Sequence, residues 1–365
     1  MHILHLYKDY FPVLGGIENH IRVLAEAQAA AGHRVTVLVC DPGRHTRRSE
    51  TNGVMVIRAG RLATRASMPI SLAQPRELLG QRPDIVHVHS PYPLGELANW
   101  LTRRGQATVI THHSDVVRQR AWLRLYAPLL RRVLRVADRI IATSPRYVET
   151  SPWLRPVADK CVVVPLGVDA ALFRPGEKEH TGSPRLLFVG RLRYYKGLDT
   201  LLHALTQLPG VSLDIVGEGP MRATWEALAR TVGLTDRVHF RGDVADADLP
   251  ALYRQADLFV LPANTRAEAF GTVLLEAMAS GLACVTTELG TGTSWIVQDG
   301  VTGLVVPPAE PGALAQAIRS LLDDAPRRRA MGVAGRARLE AMFTVERMIE
   351  GVERVYQEVL EPRQP

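Results

Sequence analysis

The sequence predicts an α/β protein made of two Rossmann-like, doubly wound parallel sheets. Three observations carry that expectation. The chain has 365 residues, more than one hydrophobic core usually supports. Apolar runs of strand length alternate along it with apolar stripes at helical spacing. A polar stretch at 176–184, rich in Gly, Pro and charge, separates two such series and reads as an exposed connection. The expected division is 1–175, 176–343, and a closing helical segment at 344–365.

In the first series, residues 2–7 (HILHLY) read as a buried strand. Gly15 and Gly16 follow in a loop. Ile17, Ile21, Leu24, Ala25 and Gln28 then mark a helix closed at Gly32, and 34–40 (RVTVLVC) is the next strand. A strand–loop–helix–strand unit is the usual start of a doubly wound sheet. The glycine pair is not G-x-G-x-x-G, and no Walker A lysine motif occurs. Two glycines opening a helix permit close approach of a ligand to the backbone, and equally a plain tight turn. Further strands are expected at 54–58, 84–89 (DIVHVH), 108–111 (TVIT), 139–143 (RIIAT) and 161–165 (CVVVP).

The second series opens with 185–189 (RLLFV), then Gly190-Arg191 and Tyr194-Tyr195-Lys196-Gly197. Strands at 212–216, 237–240, 256–261, 283–286 and 303–306 alternate with helices. In the closing segment Met348, Val352, Val355, Tyr356 and Val359 recur at helical spacing.

The stretch at 262–281 (PANTRAEAFGTVLLEAMASG) is the most informative. It follows a buried strand, supplies Glu268 in a loop ending at Gly271, and continues as a helix from Thr272 with Gly281 as its stop. Ligands bind at the carboxyl ends of strands in open α/β sheets. The free N–H groups of Thr272, Val273 and Leu274 suit an anion there. Glu268 and Glu276 beside that position suit sugar hydroxyls, because an ionised carboxylate accepts two hydrogen bonds at once.

Composition narrows the class. Charged residues are 22% and hydrophobic residues 46%, ordinary for a globular protein. The N-terminus has Lys8 and Asp9 and no long apolar run, so it does not read as a signal peptide, and no segment has the length of a membrane span. Cys40, Cys161 and Cys284 are far apart in or beside apolar runs, which fits free thiols in a reducing compartment. A cytoplasmic location is therefore expected. The net charge is +7. Residues 1–170 hold 23 Lys and Arg against 13 Asp and Glu, a net of +10, and the remainder nets −3. A basic first half predicts an anionic surface or substrate on that side. No nucleic-acid module accompanies it, and no nucleic-acid partner is expected.

Glu268-x7-Glu276 with Phe270-Gly271 resembles the signature of glycosyltransferase family 4, whose members are retaining enzymes of the GT-B fold. GGIE, ITHHSD, GRLRYYKG and GLVVPP extend the resemblance over nearly the whole chain. YYKG, THHSD, ATSP and ELGTGT resemble a subgroup that builds bacterial surface polysaccharide, often from mannosyl donors.

The resemblance implies an active site in the cleft between two domains, with donor on the second and acceptor on the first. It makes Arg191 and Lys196 the clamp on the departing diphosphate, a stabilisation of developing charge that can be the largest catalytic contribution. It assigns Glu276 to the ribose, and Glu268 with the backbone of Ala269, Phe270 and Gly271 to the donor sugar. Gly16, Gly217, Arg241, Thr272 and Val273 complete the donor set, with Gly217 and Arg241 near the nucleobase and ribose.

His113 is the expected catalytic histidine by alignment on Thr111, with His112 the alternative. No cofactor and no metal are implied. The co-substrate is a nucleotide sugar, GDP favoured over UDP, and the partner is a glycan or lipid-linked acceptor. A nucleotide-sugar epimerase shares this architecture and is one alternative; a non-catalytic nucleotide-sugar or nucleic-acid binding protein is another.

Two further features stand apart. His87-x-His89 on one strand face is half of a possible metal site, and otherwise a pair of strand-end residues lining a cleft. The segment 118–135 carries Arg118, Arg120, Arg124, Arg131, Arg132 and Arg135 with Trp122. It suits an anionic membrane surface, or else a domain helix whose arginine stems cover the core.

Overall fold

The computed structural model describes residues 1–13, 15–65, 68–115, 120–176 and 182–361, without the side chains of 120–122. The chain forms two compact units, Met1–Pro165 with Met348–Pro365, and Leu166–Arg347.

The first unit holds an eight-stranded sheet in the order Cys161–Val163, Arg139–Ala142, Ala107–His112, Ile85–Ser90, His2–Leu6, Arg34–Cys40, Val54–Ala59, Arg47–Thr51. All neighbours are parallel except the last pair. The chain winds one way from His2–Leu6 and later resumes on its other side with Ile85–Ser90. The switch point therefore lies between these two strands. The strand Arg47–Thr51 is exposed at every residue, so no hydrophobic pattern marked it. The small hairpin Ala63–Arg65 with Met68–Ile70 has strands of only three residues, too short for an alternating pattern to show.

The helix Val345–Leu360 sends Met348, Val352, Val355 and Tyr356 into the first unit's core, against Ile3, Ile85, Val109 and Ile141. At the other boundary, Leu166, Val168 and Phe173 belong to the second unit's core. The division therefore falls after Pro165 rather than at 175, because these apolar side chains, and not the polar linker, fix it.

The second unit has six parallel strands in the order Val238–Gly242, Ser212–Val216, Arg185–Val189, Leu258–Leu261, Cys284–Thr287, Gly303–Val306. This is the 3-2-1-4-5-6 winding of a Rossmann sheet, with its switch point between Arg185–Val189 and Leu258–Leu261. Four central strands are buried along nearly their whole length, as a sheet covered by helices on both faces requires. No helix among the described residues is long and apolar enough to cross a membrane.

Candidate active site

The second unit concentrates its chemistry at its switch point. After the strand Arg185–Val189 the chain passes Gly190 and makes a short 3-10 turn, Tyr194–Lys196. Gly197 ends that turn at φ 66°, in the left-handed region, where a Cβ would run into the Pro262 carbonyl oxygen. This close approach sets Lys196 against the loop that follows the strand Leu258–Leu261. Lys196 Nζ lies 2.6 Å from Glu268 Oε2, and both residues are buried. Burial alone would lower the Lys196 ammonium. Glu268, the Tyr195 phenol and Glu276 outweigh it, and its pKa rises, so the cation is secure at neutral pH.

The loop carrying Glu268 is held from a second side. Thr291 Oγ1 donates to the Glu268 carbonyl at 2.9 Å, Gly292 N–H donates to the Ala269 carbonyl at 2.8 Å, and Arg266 donates to the Leu289 and Gly290 carbonyls. Gly271 then turns at φ 87° and caps the helix Thr272–Ala279. The N–H groups of Phe270, Gly271, Thr272 and Val273 have no partner among the described residues. Leu274 N–H is not part of that set: it donates to the Gly271 carbonyl at 2.8 Å, because the left-handed turn brings that oxygen back over the first turn.

One turn further on, Glu276 Oε2 accepts from the Tyr253 hydroxyl at 2.6 Å. Burial pushes the Glu276 carboxyl up to about 6. The Tyr253 hydrogen bond and Lys196 oppose this, while Asp246 adds to it. Cation, free N–H groups and two carboxylates thus share one rim of the sheet, a set able to hold a phosphate and hydroxyl groups together.

The first unit has its own cluster at its switch point. His5, His20, His87, His89 and His113 are all buried. His5 Nε2 lies 2.8 Å from Gln28 Oε1, His5 Nδ1 lies 3.1 Å from His89 Nε2, and His89 Nδ1 lies 3.0 Å from His113 Nε2. His87 stacks on His89 at 4.4 Å and sits between the Tyr356 hydroxyl and Thr111 Oγ1, each at 2.6 Å. Burial lowers the pKa of all five rings, to about 4 for His5 and about 3 for His20.

Two triads, His5–His87–His89 and His20–His89–His113, bring ring nitrogens within 4.8 Å of one another. Neither includes a carboxylate, and most of those nitrogens already share hydrogen bonds. His112 turns elsewhere, to Asp115 Oδ1 at 3.2 Å and Ser90 Oγ at 3.3 Å.

The profile described as "Glycosyltransferase Family 4" matches residues 14–172, and "Glycosyl transferases group 1" matches 170–338. The D-rhamnosyltransferase WbpZ of Pseudomonas aeruginosa is 40% identical over 357 residues, covering 94% of this chain and 92% of its own. The chain belongs to glycosyltransferase family 4. The O-antigen chain mannosyltransferase C of Escherichia coli is 36% identical over 374 residues, with all of both chains covered. Among solved structures, sucrose-phosphate synthase (tll1590) from Thermosynechococcus elongatus superposes with a TM-score of 0.82 at 26% identity, over 98% of each chain. The fold is GT-B, as the motifs implied.

Within this family 4 glycosyltransferase, the structure brings Lys196, Glu268, Ala269, Gly271, Thr272, Val273 and Glu276 together. Arg191 stands exposed one loop away, its guanidinium without a partner among the described residues. The Phe270 ring is 4% exposed and packs edge-on near Phe343, so only its backbone faces the rim. At Gly217, φ is 120° and a Cβ would meet the Gly190 carbonyl oxygen, so this glycine lets two strand-end loops pack. Arg241 turns its Nε to the buried Asp214 carboxylate at 2.8 Å. Gly16 opens the helix Gly16–Ala30, and a Cβ there would meet nothing within 4 Å.

His87 and His89 do not line a cleft, because the helices Gly16–Ala30 and Val345–Leu360 cover them with Gln28, His20 and Tyr356. Tyr253 and the 288–294 strap were missed as site elements. ELGTGT was visible as a motif, but nothing in Tyr253's helical context pointed across to Glu276.

Proposed function

We propose that this enzyme moves a hexosyl unit, of mannosyl type, from a nucleotide sugar to a hydroxyl of a glycan or lipid-linked acceptor in surface polysaccharide synthesis. GDP is the favoured carrier over UDP, and the anomeric configuration is retained. The observation that carries the reading is the buried Lys196–Glu268 pair beside the four free N–H groups at 270–273. A diphosphate answers the cation and the N–H groups, sugar hydroxyls answer Glu268, and the ribose answers Glu276. The names of the two full-length relatives, a D-rhamnosyltransferase and an O-antigen chain mannosyltransferase, support the sugar class and the pathway type.

Transfer then needs no covalent enzyme intermediate. The acceptor oxygen bonds to the anomeric carbon as the bond from that carbon to the diphosphate oxygen breaks. The acceptor proton passes to the departing phosphate oxygen, whose charge Lys196 and Arg191 stabilise. His113 serves the sugar and the acceptor. The enzyme works without a cofactor, in the cytoplasm, against the inner face of the membrane.

The test is a panel of GDP- and UDP-hexoses offered with glycan and lipid-linked acceptors, with the product's anomeric configuration read by NMR. Release of free nucleotide with a new glycosidic bond of the donor's configuration is expected. An inverted product, or sugar conversion without any acceptor, would overturn the reading.

A further inference from the structure

Three imidazoles and one amide form an unbroken hydrogen-bonded line through the first unit, and the amide oxygen at one end orders its protons. Gln28 Oε1 can only accept, so His5 Nε2 carries the proton between them at 2.8 Å. The Gln28 amide nitrogen is buried and has no hydrogen-bond partner among the described residues. Buried among other rings, His5 is neutral, so its Nδ1 is bare and accepts from His89 Nε2 at 3.1 Å. His89 is neutral for the same reason, and its bare Nδ1 accepts from His113 Nε2 at 3.0 Å. The line ends at His113 Nδ1, which has no partner among the described residues and, unlike both nitrogens of His20, is not fully enclosed.

We infer that Gln28, His5 and His89 are a positioning relay that fixes the tautomer of His113 and presents its bare Nδ1 as a hydrogen-bond acceptor for a hydroxyl of the sugar or the acceptor. The inference rests on the proposed role of His113 and adds to it the device that sets its chemistry. An imidazole free to exchange tautomers offers a donor or an acceptor at random. One locked from behind offers an acceptor only, so a sugar or acceptor hydroxyl donates to it and is held in one orientation. The ring planes are held as well as the protons. His87 stacks on His89 and is itself pinned between Tyr356 and Thr111, while the His113 ring stacks on His89 at 5.3 Å and its backbone N–H donates to the Ser90 carbonyl at 2.9 Å. All three relay residues are fully buried. They act through His113.

Long-range proton–nitrogen NMR of the histidine rings in the full-length protein reads the tautomer directly. In the wild type, His113 is expected to be protonated on Nε2 and bare on Nδ1. Gln28→Leu removes the acceptor that orders the line. It should mix the His113 tautomers and lower kcat by about tenfold or more, with KM for the donor and nucleoside diphosphate affinity held. Gln28→Glu, which keeps an acceptor at that end, should retain the bare Nδ1 signature.

A wild-type His113 protonated on Nδ1 would overturn the relay. So would a stoichiometric divalent metal found on the His89 and His113 rings in the purified protein, since those nitrogens would then share an ion and not a proton. If Gln28→Leu fails to fold, the wild-type spectrum decides alone. Loss of turnover in His113→Ala with no effect of Gln28→Leu on tautomer or kcat sinks the relay and leaves the role of His113 standing. Full turnover in His113→Ala sinks the role itself.

Discussion

Lys196 Nζ lies 2.6 Å from Glu268 Oε2, with each residue 8% exposed. A pair so enclosed is costly to break from one side, because the remaining charge stays buried without a partner. Lys196→Ala is therefore expected to lower stability by about 3–5 kcal/mol. It should also weaken nucleoside diphosphate binding by about 1.5–3 kcal/mol, the worth of a charge-assisted hydrogen bond. Adding Glu268→Gln to that variant should recover part of the stability and none of the affinity. Chemical denaturation and calorimetric titration measure the two effects separately. Equal recovery of both would show that Lys196 acts only on the fold.

Glu276 gives the enzyme a pH signature. Its carboxyl is raised to about 6 by burial, above the ordinary 4.5. The folded state therefore holds this proton more tightly than the unfolded chain does. The stability contribution is greatest below pH 4.5, falls as pH rises to about 6, and stays at its lowest above that. Glu276→Gln should stabilise the unliganded protein above pH 6, by on the order of 1–2 kcal/mol.

Binding follows the opposite sense, since ribose hydroxyls need the carboxylate as acceptor. Nucleoside affinity should rise with pH through about 6 and then level. Tyr253→Phe removes the hydroxyl that favours the charged form and should move that midpoint upward. Titrations from pH 5 to 8 decide this, and a flat profile would separate Glu276 from the ribose.

Arg241 is the site residue whose observed partner differs most from its expected role. Its Nε sits 2.8 Å from Asp214 Oδ1, and among the described residues the second oxygen of that buried carboxylate has only Arg185, at 3.6 Å. Arg241→Ala should cost about 1–3 kcal/mol of stability by stripping a buried acceptor of its donor. Nucleotide affinity should change little. Thermal unfolding beside calorimetry tests it, and a large affinity loss in a fully stable variant would restore Arg241 to the nucleotide.

These cases show what the sequence could carry. The second unit's four central strands were legible because each is a largely apolar run bounded by turn residues, and the rim motif at 262–281 was legible because strand, loop and helix are consecutive. The strand Arg47–Thr51 was not, since an exposed antiparallel edge has no apolar pattern to read. Tyr253 reaches Glu276 from 23 positions away, and the histidine line joins residues 5, 28 and 89 from three elements to residue 113 in the loop after a fourth. Pairings of that kind come from sheet order, which periodicity does not encode. The positions of His87 and His89 on one strand face were readable, but what covers that face was not.

The helix Arg120–Val136 carries the proposed membrane contact. Tyr126, Leu130, Val133 and Leu134 are buried, while Arg124, Arg131, Arg132 and Arg135 are exposed and Leu125 is 75% exposed. Arg118 and the side chains of Arg120 and Trp122 lie outside the described residues. Exposed arginines around an exposed leucine suit anionic headgroups, at about 1 kcal/mol per basic residue near the surface. Flotation with phosphatidylglycerol vesicles should show binding that weakens with salt and falls in Arg131→Glu with Arg132→Glu. Equal binding to neutral vesicles, or none to either, would remove this contact.

The last expectation separates donor binding from transfer. Lys196 and Glu276 belong to the second unit and, as proposed, to the diphosphate and the ribose. His113 belongs to the first unit, and its free Nδ1 is an acceptor for a hydroxyl, not a partner for an anion. A neutral imidazole held well below its ordinary pKa by burial adds no charge that a nucleotide could use. His113→Ala should therefore leave nucleoside diphosphate affinity near the wild-type value while cutting turnover by roughly 10²-fold, as loss of a contact that orients a reacting hydroxyl does. Lys196→Ala and Glu276→Ala should lose affinity for the nucleotide in the same titration. The comparison needs all three variants in one calorimetric series paired with a transfer assay. Loss of nucleotide affinity in His113→Ala, with affinity kept in the other two, would reverse the assignment of roles.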